Sequence, residues 1–209
     1  MTEAISDLNK FLPSLLRNEG YLDIIASHEA VIAIEKDHGL ELSDVLKILL
    51  TTNGSVTQAL QVLQKSPDAR VKIHTVNQVI MGLSGEEINE TIYASLNIPP
   101  GALFNYRQVV LHVDDKNLVL AISLTPLFRL GKGFQEDLLR ADEPIGFLLE
   151  KYRLEVLRRI LTIDAIQDQG FFNEVFKTRL NQLIPFRVYD ILYKNEILMK
   201  IIEFYNPAL

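Results

Sequence analysis

Glu196-Ile-Leu-Met-Lys-Ile-Ile-Glu-Phe-Tyr205 is the stretch whose reading decides the fold. Side chains on a strand alternate between two faces. Read that way, Ile197, Met199, Ile201, Glu203 and Tyr205 share one face, and Glu196, Leu198, Lys200, Ile202 and Phe204 the other. The first face is the more apolar, yet it carries a carboxylate. Removing a carboxylate from water costs several kcal/mol unless a partner is supplied, so Glu203 needs an explanation. Asn105-Tyr-Arg-Gln-Val-Val-Leu-His-Val113 breaks its pattern in the same way, because Arg107 shares a face with Val109, Leu111 and Val113. Two strands far apart in sequence thus each place one charge, of opposite sign, on an apolar row. Two structural explanations stand beside a functional one: a buried ion pair, or a register that turns one of the two outward.

Working outward, each strand belongs to a hairpin. Leu103–Val113 and Asn117–Thr125 flank the polar turn Asp114-Asp115-Lys116, and Leu183–Tyr193 and Glu196–Tyr205 flank Lys194-Asn195. Leu118-Val-Leu-Ala-Ile-Ser-Leu124 is apolar on both faces, as a central strand would be. Ala69–Ile80 also alternates. Helices are predicted after Ser6-Asp7 (Leu8, Phe11, Leu12, Leu15 and Leu16 apolar), over Asp23–Lys36 up to Gly39, from Ser43, after the cap Ser55, and over Glu86–Leu96 behind Ser84. Further helices are predicted over Phe134–Arg140, Ile145–Leu154 and Asp164–Asn181. The expected fold is α+β: an antiparallel sheet built from two separated hairpins, with helices on one face or end. No linker divides the 209 residues, so one domain is expected, with residues 1–45 a helical extension and 46–207 the core.

Composition narrows the function. Hydrophobic residues make up 48% and charged residues 23%, ordinary values for a soluble globular protein. The net charge of -6 lacks the basic excess of a nucleic-acid binder. With no cysteine, there is neither disulfide, thiol nucleophile nor thiolate metal ligand. No apolar run approaches the ~20 residues of a membrane-spanning helix, and no basic-then-apolar leader opens the chain. A cytoplasmic protein with no membrane span is expected.

Motifs for common chemistries are missing. Neither glycine-rich phosphate-loop pattern occurs. His28, His38, His74 and His112 lack the spacing of a helical zinc site, and no serine sits in a nucleophile elbow. Helix, Asn53-Gly54 turn, helix invites a helix-turn-helix reading. The second helix offers a groove no cation before Lys65, however, and packed helices are the better account. What remains is chemistry from Arg, Glu and backbone amides, suited to an anionic organic substrate. Arg offers a planar fork to a carboxylate, and a glutamate in apolar surroundings can act as an acid near neutrality.

Four blocks then bring a family into view: Leu50-Thr-Thr-Asn-Gly-Ser-Val-Thr57; Tyr106-Arg-Gln-Val-Val-Leu111 with Ala121-Ile-Ser-Leu-Thr-Pro126; Pro144-Ile-Gly146; and Arg187-Val-Tyr-Asp-Ile191 with Ile201-Ile-Glu-Phe-Tyr205. In order and spacing the chain resembles the chorismate pyruvate-lyase (4-hydroxybenzoate synthase) family, especially its divergent archaeal and mycobacterial-type branch, from about Leu46 to Pro207. The resemblance implies a chorismate lyase-like fold. It also implies a small-molecule substrate, chorismate, whose enolpyruvyl group is eliminated to give 4-hydroxybenzoate and pyruvate. That reaction aromatises the ring and needs no metal or redox cofactor. In the family the product feeds quinone or phenolic-lipid synthesis.

The family's catalytic glutamate falls on Glu203 and its substrate-carboxylate arginine on Arg107, the two residues that break the alternation. Its carboxylate-holding turn falls on Ile145 and Gly146, and its pocket-lining position on Val56, where the prototypical enzymes carry a larger side chain. Arg187 and Tyr189 belong to the divergent branch; Arg187 is either a second anion contact or a surface residue. The competing reading is a sensor, because the fold also resembles the effector-binding domains of bacterial transcription regulators. Those normally follow a basic DNA-binding region, and residues 1–45 hold only Lys10, Arg17 and Lys36. A lyase acting on a related enolpyruvyl or aromatic acid is the other alternative.

Overall fold

The computed structural model describes residues 12–16, 20–66, 68–82, 87–179 and 181–209. Residues 12–15 are helical, and after them come α1 (Ile24–His38), α2 (Asp44–Thr51) and α3 (Val56–Val62), each starting at a side-chain cap. Asp23 accepts from the Ala26 amide at 2.8 Å, Ser43 from Leu46 at 3.1 Å and Ser55 from Gln58 at 3.4 Å, each relieving one of the orphan amides of a first turn. Gly39 ends α1 in the left-handed region, at φ 60°. The expected caps Ser6-Asp7 and Ser84 lie outside the described residues, although Leu12 and Leu16 are buried.

The rest of the chain runs β1 (Lys72–Met81), α4 (Glu87–Leu96), β2 (Phe104–Val113), β3 (Lys116–Pro126), α5 (Lys132–Arg140), α6 (Ile145–Lys151), β4 (Leu157–Gln167), α7 (Phe171–Phe176), β5 (Leu183–Tyr193) and β6 (Glu196–Tyr205). The strands form one antiparallel sheet in the order β1-β2-β3-β6-β5-β4. Both expected hairpins are present and abut through β3 and β6, so the closing stretch Glu196–Tyr205 lies near the sheet centre.

Three expectations need correction. Residues 164–181 are not a helix: β4 extends to Gln167 and only Phe171–Phe176 is helical. β4 carries a bulge between Ile160 and Thr162, which breaks the two-residue period by which a strand is recognised. Helices cover both faces of the sheet rather than one. Side chains of α1, α2, α3, α5 and α6 pack with Val109, Val119 and Ile201 on one face. Those of α4 and α7 pack with Tyr106, Ile122 and Phe204 on the other. Finally, Ile197 packs on this second face and not with Met199, because the β5–β6 ladder has a bulge beside it.

A repeat absent from the sequence pattern shows in the topology. Strand, helix, hairpin occurs twice, as β1-α4-β2-β3 and β4-α7-β5-β6. The bulges recur with it. β1 is bulged between Thr75 and Asn77 as β4 is between Ile160 and Thr162, and β3 carries the extra residue Leu118 opposite Leu111 and His112 as β6 carries Leu198 opposite Ile191 and Leu192. Arg107 and Arg187 occupy equivalent places in the two halves, Arg107 facing Ser123 and Arg187 facing Glu203.

Candidate active site

One cavity lies between the first face of the sheet and the helices on it. Arg107 and Glu203 both line it, and so do Val56, Ile145 and Gly146. The structure therefore brings every sequence-predicted site residue to a single hollow. Arg107 and Glu203 do not form the ion pair that the alternation left open.

Glu203 is held from three sides. Arg187 Nε donates to its Oε2 at 2.8 Å, the Tyr205 hydroxyl to Oε2 at 2.6 Å and the Tyr189 hydroxyl to Oε1 at 3.0 Å. An ionised carboxylate accepts at about four positions, so one remains for a ligand. Arg187 is fully buried and not a surface residue. Its Nη1 donates to the Thr52 carbonyl at 2.6 Å, tying β5 to the segment before α3. Its guanidinium lies 4.5 Å from the centre of the Tyr189 ring. Burial opposes the Arg187 charge, but Tyr205, Glu203 and Tyr189 outweigh it and hold the group firmly protonated. Burial, reinforced by Glu203, pushes the Tyr189 and Tyr205 phenols up, so both keep the protons they donate.

Arg107 is the freer cation. It is 1% exposed, and its Nη2 donates to the Glu143 carbonyl at 3.0 Å. No acceptor among the described residues meets its Nε. Burial lowers it to about 10, with Asp142 working the other way, so it is charged at neutral pH. A buried donor without a partner costs about 1–3 kcal/mol, a cost that an anionic ligand would remove. The contact to Glu143 also fixes the segment entering α6. The first residues of that helix, Ile145 and Gly146, line the cavity, and amides at a helix start have no intrahelical acceptor.

Gly146 is required by packing. A Cβ there would lie 2.7 Å from Ser55 Oγ and 2.9 Å from Thr57 Oγ1, so the Pro-apolar-Gly turn lets α6 press on the start of α3. From the other side Asp137 of α5 holds α6, accepting from Tyr152 and Lys151 at 2.7 Å each and pairing with Arg140. Hydrogen bonds from Lys151 and Tyr152, with Arg140 adding to them, pull the Asp137 carboxyl down to about 2.

Two features escaped the sequence reading. Arg158 of β4 also lines the cavity, but its strand was not recognised. Lys200 and Asp190 form a second buried ion pair, at 2.6 Å. Both alternate onto the face opposite the cavity, a face the reading took for the more polar one.

The family assignment rests on sequence. Residues 50–209 match the family model described as "Chorismate pyruvate-lyase Rv2949c-like". The chain belongs to that family. It is also 35% identical over 164 residues, 76% of each chain, to the Methanocaldococcus jannaschii protein named "Putative lyase MJ0807". Among solved structures, the effector domain of PhnF from Mycobacterium smegmatis superposes with a TM-score of 0.54 at 14% identity, covering 74% of this chain and 89% of that one. The product SA0254 of Staphylococcus aureus gives 0.55 at 10% identity, covering 74% and 88%. At such identities the likeness concerns the fold, and it places this member of the family on the same architecture as the effector domain of PhnF. Among the described residues no helix is long and apolar enough to cross a membrane.

Proposed function

We propose that this protein removes the enolpyruvyl group of chorismate, yielding 4-hydroxybenzoate and pyruvate. The observation that carries the reading is that Arg107 and Glu203, brought from separate hairpins, meet in one cavity whose wall includes Ile145 and Gly146 at the start of α6. Arg107 and the amides of that helix start hold the ring carboxylate. This fixes the ring against the sheet and supplies the orientation from which much of the rate is gained.

The reaction moves one proton out and one in. The ring carbon bearing the hydroxyl loses its hydrogen as a proton, and that electron pair completes the aromatic ring. The bond from the neighbouring carbon to the enolpyruvyl oxygen breaks, and the departing enol is protonated and tautomerises to pyruvate. Glu203 is the group for the proton delivered to the enolpyruvyl oxygen. The proton it delivers is the one the ring carbon loses, so the carboxylate paired with Arg187 takes a proton and hands it on within the same turnover. Arg187, Tyr189 and Tyr205 position Glu203; they are not assigned a step of their own. Positioned proton transfer contributes about 10²–10⁴-fold.

Incubating the purified protein with chorismate and following 4-hydroxybenzoate absorbance tests the reading. A cavity that only senses anions would bind chorismate and leave it intact, and a flat trace with measurable binding would replace the lyase by that reading.

A further inference from the structure

Chorismate carries two carboxylates, one on the ring and one on the enolpyruvyl group, and Arg107 with the α6 amides accounts for only the first. We infer that Arg158 is the anchor for the second, the carboxylate that leaves with pyruvate; the inference rests on the lyase reading above.

Of the three guanidinium groups on the cavity face of the sheet, Arg187 is spent on Glu203 and Thr52. Arg107 binds at the far end, and Arg158 is left. Arg158 is half-buried and lines the cavity, and among the described residues no carboxylate or other hydrogen-bond partner meets it. Its neighbour Arg159 stacks on Tyr21, 4.7 Å from the ring centre, and so is spent elsewhere. Opposite Arg158 in the ladder is Ile191, another cavity residue, so Arg158 shares the cavity face. Its charge also reaches the Tyr189 phenol, where it opposes the upward push of burial and Glu203.

The strand order supplies the spacing. Arg107 is on β2, Glu203 on β6 and Arg158 on β4, so two strand steps separate Glu203 from each arginine. At about 4.8 Å per step and about 3.3 Å per residue, Arg107 is level with Ile201 and Arg158 with Met199, so the two backbone attachment points lie about 20 Å apart and Glu203 stands to one side of the line between them, nearer Arg107. Two arginines reaching inward across that span leave room for one small dicarboxylate. Arg158 also stands where the leaving fragment must pass. Together with Ser55 and Gly146 it borders both the cavity and an outer recess that opens to solvent. That recess is also lined by Arg153, Glu150 and Glu155. The planar fork of Arg158 suits bidentate binding of a carboxylate better than an ammonium would.

The test compares chorismate, with two carboxylates, and 4-hydroxybenzoate, with one, on the wild type, Arg158→Ala and Arg158→Lys. In Arg158→Ala the KM for chorismate, or its Kd if nothing turns over, is expected to rise about 10- to 100-fold. kcat at saturation is expected to fall far less, and the Kd of 4-hydroxybenzoate to stay within about twofold, the margin of one lost partner-free contact. Arg158→Lys restores part of the loss. Unchanged chorismate affinity in Arg158→Ala, or an equal loss for both ligands, overturns the anchor and leaves the lyase reading standing. A wild type that neither binds nor consumes chorismate overturns both.

Discussion

Replacing Glu203 with glutamine separates the chemistry from the fold. The amide is nearly isosteric, so its oxygen can keep the place of Oε2 and still accept from Arg187 Nε and Tyr205, at 2.8 and 2.6 Å in the native site. Its NH2 then occupies the place of Oε1, and the Tyr189 hydroxyl must turn from donor to acceptor. A hydroxyl can do this by rotating. What cannot be restored is the charge: Arg187 stays buried as a cation with only the Thr52 carbonyl and a neutral amide against it. Removing one partner of a buried pair costs about 3–5 kcal/mol. Because the hydrogen bond survives, the lower end applies, about 3 kcal/mol, or roughly 6–12 °C in Tm for a chain of this length.

That loss leaves the protein folded at 25 °C, since domains hold about 5–15 kcal/mol. The ring-carboxylate anchors are untouched, so 4-hydroxybenzoate should bind within a few-fold of wild type. Turnover should fall about 10²–10⁴-fold. Single-turnover absorbance with saturating chorismate measures the rate, and calorimetry with 4-hydroxybenzoate certifies the folded fraction. A variant that binds normally and retains a tenth or more of the wild-type rate refutes the role given to Glu203. Adding Arg187→Met should recover part of the lost stability, because the stranded cation is gone, but none of the rate.

Arg107→Ala should weaken 4-hydroxybenzoate binding by about 10- to 100-fold in calorimetry, and Arg107→Lys should regain only part of it; unaltered affinity would remove Arg107 from the carboxylate site. Ser123→Glu places a carboxylate directly opposite Arg107, as Glu203 is opposite Arg187. It should cost at least as much binding as Arg107→Ala; retained affinity would mean that Arg107 does not work as a free cation. Asp137, lowered to about 2, contributes stability that is complete above the unfolded carboxyl value of about 4 and is lost as pH falls through about 2. Thermal scans should therefore show a smaller fall in Tm on acidification for Asp137→Asn than for wild type; parallel curves would show that the Asp137 cluster does not drive the acid response.

Legibility followed the regularity of the backbone. The cap Ser55, helix starts near Asp23 and Ser43 and both central hairpins could be read, because short polar residues before apolar periods and uninterrupted alternation have one meaning each. β4 could not. Its bulge leaves Leu161 and Thr162 on one face in succession and shifts the opposite row from Ile160 to Ile163, and Leu157, Ile160 and Leu161 imitate a helical stripe. Arg158 was lost with the strand. Glu203 and Arg107 stood out as charges on rows that were otherwise apolar, whereas Lys200 and Asp190 did not, because alternation shows which side chains share a face and not whether a second helical layer covers it.

The partner of Glu203 shows why register is the harder problem. Lys194 and Asn195 form the turn, both at positive φ (52° and 65°), and Tyr193 pairs with Glu196 beside it. Counted back from that turn without interruption, Arg187 would face Ile202, on the wrong side of the sheet for the cavity. The extra residue Leu198, in the bulge of β6 opposite Ile191 and Leu192, moves the pairing by one, so that Arg187 meets Glu203. The equivalent extra residue Leu118 in β3 sets Arg107 against Ser123. The same device, used twice, has two outcomes decided by a single side chain. Where the facing residue is serine, the arginine keeps a donor free toward the cavity; where it is glutamate, the arginine is consumed in orienting a carboxylate. An anion site and a proton-transfer site therefore arise side by side from one repeated piece of backbone, and the bulges that obscure the strands in the sequence bring the two charges onto one wall.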